Sequence, residues 1–180
     1  MVKYGIMAAA MVLQNRTALV TGASRGIGRA IAVALARAGA DVVVNYVHDA
    51  AAADETVQRV QGTGRRALAI QADVSDPDQA STLVQQAIDA LGHLDILVNN
   101  AGVIVRRPFL ELTLAEWDRV LDTNLRGAFM VGQHAARHMA ERRYGRIINI
   151  SSLQGSVATI HRIVRHSKPC RSDRRWRHCH

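Results

Sequence analysis

The chain has 180 residues, of which 48% are hydrophobic and 21% charged, a balance that suits one folded domain and argues against disorder. Its formal net charge is +8, and no stretch approaches the run of about 20 apolar residues needed to cross a bilayer, so neither a spanning helix nor a membrane partner is expected. Aromatic residues make up only 4%, which points to a helix-and-sheet core built from Ala, Val, Leu and Ile.

Residues 1–12 read as an N-terminal extension. Lys3 followed by Gly5 to Leu13 faintly resembles a short signal peptide, but a strand begins almost at once, and an upstream start codon, with Met7 or Met11 the natural beginning, accounts for the segment better. The apolar run Thr17–Val20 is the first strand, and Ala30–Ala36 has the pattern of a helix. Between them stands Thr-Gly-Ala-Ser-Arg-Gly-Ile-Gly, residues 21–28. A glycine-rich turn in that setting hands a strand over to a helix whose free N–H groups can hold a phosphate. Gly22 permits the tight turn, and Gly26 and Gly28 let a pyrophosphate and the helix come close.

Further along, Asp41–Asn45 reads as a second buried strand and Ala67–Gln71 as a third, followed at once by Asp73-Val74. Asp76-Pro77 places a capping side chain before a proline at a helix's first turn. The stretch 81–91 then puts Leu83 or Val84, Ala87, Ile88 and Leu91 on one core-facing side. Ile96–Asn99 is a fourth strand that runs into Asn100-Ala101-Gly102. Thr113 and Glu116 form a capping-box pattern that opens a helix running toward Asn124. Arg146–Ile150 is a fifth strand ending in Ser151 and Ser152. Every group suited to chemistry lies at the C-terminal end of a strand, the edge where an open parallel sheet forms its ligand crevice. The expected fold is α/β, a Rossmann-type doubly wound parallel sheet, which the resemblance described next implies is incomplete at its C-terminal side.

These segments, with Asp122-Thr123-Asn124-Leu125-Arg126-Gly127, resemble in their order the short-chain dehydrogenase/reductase family over residues 13–161. The resemblance implies an NAD(P)-dependent oxidoreductase acting on an alcohol or carbonyl, with 3-oxoacyl-carrier-protein reductases and sugar dehydrogenases the nearest in pattern. It implies that Gly22, Ser24, Arg25, Gly26, Ile27 and Gly28 wrap the coenzyme phosphates and that Asp73 and Val74 meet the adenine end. Asn100, Ala101 and Gly102 would line the nicotinamide side, Asn99 would steady the central strands, and Ser152 and Asn124 would be catalytic. It further implies a cytoplasmic protein, a small-molecule substrate and, in intact members, a homo-oligomer. Coenzyme choice is read at the end of the second strand, where an acid would bond the ribose hydroxyls and repel a 2′-phosphate. Here Asn45, taken as the coenzyme contact at that strand end, is followed by Tyr46-Val47-His48 with no carboxylate before Asp49, and Arg25 can pair with a phosphate; both tilt the choice from NAD toward NADP.

The pattern then breaks. The family carries Tyr-x-x-x-Lys about thirteen residues after its serine, near position 165, whereas this chain has Arg162-Ile163-Val164-Arg165-His166-Ser167-Lys168 and no tyrosine after Tyr144. Residues 162–180 hold six Arg, one Lys and one Asp, and so contribute +6 of the +8. Pro169 interrupts the helix the family needs there. This basic tail reads as the product of a frameshift near codon 162, which sequencing of the gene tests directly. Cys170 and Cys179 make no disulfide framework, and with His166, His178 and His180 they match no zinc spacing, so no metal is expected. Two alternatives follow: a non-catalytic NAD(P)-binding fragment, and nonspecific nucleic-acid binding through Arg171, Arg174, Arg175, Arg177 and Trp176 of the tail.

Overall fold

The computed structural model describes residues 12–151. Its centre is a five-stranded parallel sheet, with β1 at Thr17–Val20, β2 at Asp41–Tyr46, β3 at Ala67–Gln71, β4 at Ile96–Asn99 and β5 at Arg146–Asn149. The spatial order is β3-β2-β1-β4-β5. The chain builds outward from β1 in one direction and then crosses back to lay β4 on the other side of β1. Between β1 and β4 the order reverses, and a crevice opens there at the strands' C-terminal ends.

The central strands β1, β2 and β4 carry continuous apolar runs, and there both faces of the sheet are covered. Alternation sends Ala18, Val20, Val42, Val44, Ile96 and Val98 into one core with α1 (Gly26–Arg37) and α2 (Ala50–Gln61). It sends Leu19, Val43 and Leu97 into a second core, with Leu83, Val84, Ala87 and Leu91 of α3 (Pro77–Leu91) and Val131, Ala135 and Met139 of α5 (Ala128–Glu141). The α3 side chains are the ones its sequence pattern places inward, with Ile88 packed at the margin.

Helix starts follow their capping residues. Asp76 accepts from the N–H groups of Asp78 and Gln79 at 2.9 and 3.0 Å and opens α3 before Pro77. Thr113 and Glu116 complete a reciprocal capping box at the start of α4 (Leu114–Leu121). Two features differ from the sequence reading. First, α1 begins at Gly26, so the last glycines of the turn form the helix's own first turn. Second, the helix running toward Asn124 continues through a π-helical turn, Asp122–Gly127, directly into α5. Gly127 meets the Val74 carbonyl so closely that a Cβ there would stand 2.8 Å from its oxygen.

Among the described residues β5 is an edge strand. Ile147 and Ile148, which alternate to opposite faces, are 40% and 44% exposed, so each face of β5 lacks cover among the described residues.

Candidate functional site

The site begins with how the glycine turn is held. Thr21 Oγ1 accepts from the backbone N–H groups of Asn100 and Ala101, each at 3.0 Å. In return Asn100 Nδ2 donates to the carbonyls of Thr21 (2.9 Å) and Gly22 (3.1 Å). The turn after β1 and the turn after β4 are thereby locked together. Two glycines make the approach possible. A Cβ on Gly22 would lie 2.9 Å from the Ala101 Cα, and one on Gly28 would lie 2.5 Å from both Asn100 Nδ2 and the Gly22 carbonyl oxygen. Gly26 differs: its φ is +57° and a Cβ there would meet nothing within 4 Å. Its requirement is conformational, and it faces open space.

The turn is also held from behind. Arg29 donates from Nε and a terminal nitrogen to the Ser24 carbonyl at 3.0 and 2.6 Å, and Thr56 Oγ1 donates to the same oxygen at 3.1 Å. Arg29 also donates to Thr56 Oγ1 (2.9 Å) and the Ala52 carbonyl (3.1 Å) and pairs with Glu55 at 2.9 Å, tying α2 to the turn. Nothing in the sequence pattern singles out Arg29 and Thr56. Their contact joins residues 27 apart on separate helices, and only the packing of α1 on α2 brings them together.

Along the strand ends runs a cleft of about 400 Å³. Gly22, Ser24, Arg25, Ile27 and Gly28 line it, as do Asp73, Val74, Asn100, Ala101 and Gly102. Tyr46, Val47, His48 and Asp49 wall it at the end of β2, and Val103 and Thr123 complete it. Gly26 touches instead a wider surface groove of about 690 Å³ between α1 and α2, shared with Arg37 and Arg59. That groove gathers none of the other residues singled out for phosphate, adenine or nicotinamide contact, so the narrower cleft is the functional candidate.

Asn45 requires a correction. Read as a coenzyme contact, it is 1% exposed and absent from the cleft wall. Its Oδ1 accepts from Gly22 N–H (3.2 Å), while its Nδ2 donates to the carbonyls of Ala72 (2.9 Å) and Ile70 (3.3 Å). Pairing β2 between β1 and β3 turns this side chain inward, where it ties the glycine turn to the end of β3. Asn124 is likewise held: Oδ1 accepts from Val103 N–H at 2.8 Å and Nδ2 donates to the Val103 carbonyl at 2.9 Å. Its amide braces the loop that follows β4. Asn99 donates to Asn149 Oδ1 at 2.9 Å and to the Ala128 carbonyl at 3.1 Å, joining β4 to β5 and α5. Ser152, the residues of the extension up to 11 and the tail 162–180 lie outside the described residues.

Tyr144 stands at the other end of the sheet, where Arg16 stacks 3.9 Å from its ring centre, just before β1. It is remote from the cleft. Among the described residues no group of three or more His, Cys, Asp or Glu could hold a metal ion, and no helix is long and apolar enough to cross a membrane.

The chemistry of the cleft is that of an anion site. α2, α3 and α4 are each capped by a side chain of their own (Asp49, Asp76 and Thr113), whereas α1 has Arg25 at its N-cap, no side-chain cap bond and no acid in its first turn. The positive end of this twelve-residue helix is left for a ligand to satisfy. Arg25 adds a cation on the same wall.

A parallel sheet with its crevice at the switch point, and a glycine turn leading into an uncapped helix, are the marks of the Rossmann-type α/β fold. The chain belongs to the short chain dehydrogenase family, whose model matches residues 16–164. It is 47% identical over 150 residues to versicolorin reductase stcU of Emericella nidulans, an alignment that covers 83% of this chain and 56% of that protein. Over 143 residues it is 44% identical to the 3-oxoacyl-[acyl-carrier-protein] reductase FabG of Staphylococcus aureus, covering 79% of this chain and 58% of the relative. Among solved structures, a short chain dehydrogenase from Burkholderia cenocepacia in complex with NADP superposes with a TM-score of 0.76 at 44% identity, covering 80% of this chain and 58% of that one. A short-chain type dehydrogenase/reductase from Mycobacterium marinum gives 0.79 at 39% identity, covering 83% and 61%. The chain thus spans a little over half the length of the proteins it matches.

Proposed function

We propose that this chain binds a nicotinamide dinucleotide, NADP in preference to NAD, as the coenzyme half of an oxidoreductase that interconverts an alcohol and a carbonyl. The observation that carries the reading is the uncapped N-terminus of α1 at the switch-point cleft. It is the one capping vacancy among α1 to α4, and it opens beside Arg25 at the start of α1. The oxidoreductases among its relatives, and the NADP complex among the similar structures, support the same reading.

In this reading the first-turn N–H groups of α1 and the Arg25 guanidinium bind the phosphates. Asp73 and Val74 border the adenine, and Asn100 to Gly102 border the nicotinamide. Hydride transfer belongs to the coenzyme. The protein's share is to orient the ring, exclude water, and stabilise and protonate the oxygen on which charge develops. Ser152 is the hydroxyl for that oxygen. Asn124 acts on it from a distance by holding Val103 and the loop after β4. A 3-oxoacyl thioester, a sugar or a small ketone is the substrate class, and the cytoplasm, where the coenzyme is abundant, the compartment.

A second reading is favoured by one observation: residues 162–170 contain no tyrosine, so the family's proton donor is missing. The chain then binds coenzyme without turnover. The remaining alternative, nucleic-acid binding by the arginines of the tail, predicts a steep salt dependence that vanishes when residues 162–180 are deleted.

Titration with NADPH and NADH, followed by coenzyme fluorescence, tests the proposal. Saturable binding that is lost when Gly22 and Gly26 carry bulky side chains supports it, and an absence of binding overturns it. Turnover of a ketone or 3-oxoacyl thioester then decides between enzyme and binding module.

A further inference from the structure

We propose that the N-terminal edge of the sheet, the end opposite the coenzyme cleft, holds a second anion site, made of Arg16, Arg142 and Arg146 and suited to a small, multiply charged phosphate. The inference does not depend on the coenzyme reading.

The topology brings these residues together. Arg16 stands just before β1, Asp95 just before β4, Arg146 opens β5, and Arg142 follows α5. Parallel pairing in the order β1-β4-β5 aligns those strand starts, and Arg146 N–H donates to the Asp95 carbonyl at 2.9 Å. Tyr144, on the short link between α5 and β5, is the platform. The Arg16 guanidinium lies 3.9 Å from its ring centre and that of Arg146 lies 5.6 Å from it. Two long side chains are thereby held in place before a ligand arrives, which lowers the ordering cost of binding.

Pairing sets this cluster apart. The other arginine–carboxylate pairs of the described residues are direct, at 2.5 to 2.9 Å. Arg16 and Arg142 instead stand 3.7 and 3.8 Å from Asp95 Oδ1, beyond hydrogen-bond length, and that buried oxygen receives no hydrogen bond among the described residues. The other oxygen, Oδ2, accepts from Thr17 N–H at 3.2 Å and faces His93 Nε2 at 3.0 Å. Asp95 thus offsets one charge from beneath without taking up the guanidinium donors. Helix α5 does not take them up either, because its last carbonyls accept from the backbone N–H groups of Arg142, Arg143 and Tyr144. Among the described residues, the one hydrogen bond from these three guanidiniums runs from Arg146 to the Gly145 carbonyl at 2.8 Å.

Three cations over one carboxylate leave two positive charges, and the adjoining Glu141 and Arg143 cancel each other. The side chains of Arg16 and Arg142 are 37% and 41% exposed, and Arg146 is exposed, so all three reach solvent. A guanidinium fork matches two phosphate oxygens at once. An anion with several oxygens can bridge forks gathered around one ring and relieve the repulsion between them, which a monatomic ion cannot do as well.

Titration of the 15N-labelled full chain with inorganic pyrophosphate, followed by its arginine Nε–H and backbone amide signals, tests the proposal. Saturable shifts are expected at Arg16, Arg142 and Arg146 and at the Tyr144 and Gly145 amides. Arg16→Gln and Arg146→Gln should each weaken that binding about tenfold, the loss of one charge-assisted contact. Arg16→Lys, which keeps the charge and loses the fork, should weaken it less. Thermal melts accompany each variant, and the exposed Arg146 carries the test if Arg16→Gln does not fold. Shifts that fail to saturate, that are confined to the arginines of residues 162–180, or that persist with equal affinity in Arg146→Gln overturn the site. The first-turn amides of α1 report the coenzyme cleft in the same spectra. Saturation there with a silent sheet edge overturns this inference and leaves the coenzyme reading standing; a saturable edge with a silent α1 does the reverse.

Discussion

The three glycines of the turn do different work, and substitution separates them. Gly28→Ala forces a Cβ to within 2.5 Å of Asn100 Nδ2 and the Gly22 carbonyl, an overpacking that is expected to cost about 1–3 kcal/mol and to open the junction between the two turns. Gly26→Ala meets no protein atom, so the fold bears only the left-handed backbone term of about 1–2 kcal/mol. Its N–H, however, belongs to the first turn of α1 that is proposed to bind phosphate, so the strained backbone is expected to tell on affinity. Thermal melts together with coenzyme titrations distinguish the two: Gly28→Ala lowers stability and affinity together, Gly26→Ala chiefly affinity. Asn45→Leu leaves Gly22 N–H and the Ala72 carbonyl without the Asn45 amide that satisfies them. A loss of several kcal/mol is expected from denaturant unfolding, at about 1–3 kcal/mol per orphaned group. A loss under 1 kcal/mol would contradict the role given to Asn45.

Among the elements, the pairing of β2 with β3 carries an acid-sensitive contact. Burial by itself would raise the Asp41 carboxyl. The hydrogen bonds from the Arg66 side chain and backbone, with the charges of Arg65 and Arg66, outweigh that and hold it below its ordinary value. Because the folded value is the lower one, this stabilisation is fully present above the unfolded carboxyl's value of about 3.9, and it is lost as pH falls through the depressed folded value. Urea midpoints should therefore decline below about pH 4. Asp41→Asn should be less stable at pH 7 and show a shallower acid decline; an unchanged decline would assign the acid sensitivity elsewhere. The helices show a second rule. Thr113→Ala removes half of the capping box and is expected to loosen α4 by about 1 kcal/mol, read as faster amide exchange in its first turn. The Thr113 N–H, its hydroxyl and Arg107 together keep the Glu116 carboxyl below the usual range; alanine keeps the N–H bond and removes the hydroxyl one, so that part of the effect should fade in acid. Both sets of caps were legible beforehand, because a cap is read within four residues. The π-helical turn at Asp122–Gly127 was not, since it accompanies Gly127 packing on Val74, which lies across the fold.

For the whole molecule, the contrast lies between its two ends and its sides. At the N-terminal edge of the sheet, buried Asp95 accepts from Thr17 N–H at 3.2 Å and faces His93, with Arg16 and Arg142 at 3.7 and 3.8 Å. Helices α1, α2 and α5 end there, and Arg37, Arg59 and Arg142 complement their negative ends. Part of the chain's positive charge thus has a structural place away from the tail. Along α4 and α5, Leu114, Trp117, Leu121, Leu125 and Phe129 form an exposed apolar stripe, and β5 shows Ile147 and Ile148. Such surfaces drive association. The chain is expected to self-associate with rising concentration in light scattering, and Leu114→Lys with Leu125→Lys should reduce this. A monodisperse, cooperatively melting native sample would argue against it.

What the sequence determined by itself was everything set over short range. The strands follow from apolar runs, the turn from glycine spacing, the helix starts from Asp76, Thr113 and their partners, and the cleft's place from the parallel order. The tertiary structure alone decided which side chains face the cleft and which support it. Asn45 belongs to the strand end that reads the coenzyme, yet the sheet buries it against residues 23 to 27 positions away. Arg29 and Thr56 carry no motif, yet they hold Ser24. Asn124 sits in a motif, yet its amide holds Val103. Propensity and periodicity report a residue's neighbours along the chain, whereas the direction of a polar side chain is set by which unpaired carbonyl or N–H the packed elements bring within reach, and that is known only once the elements have met.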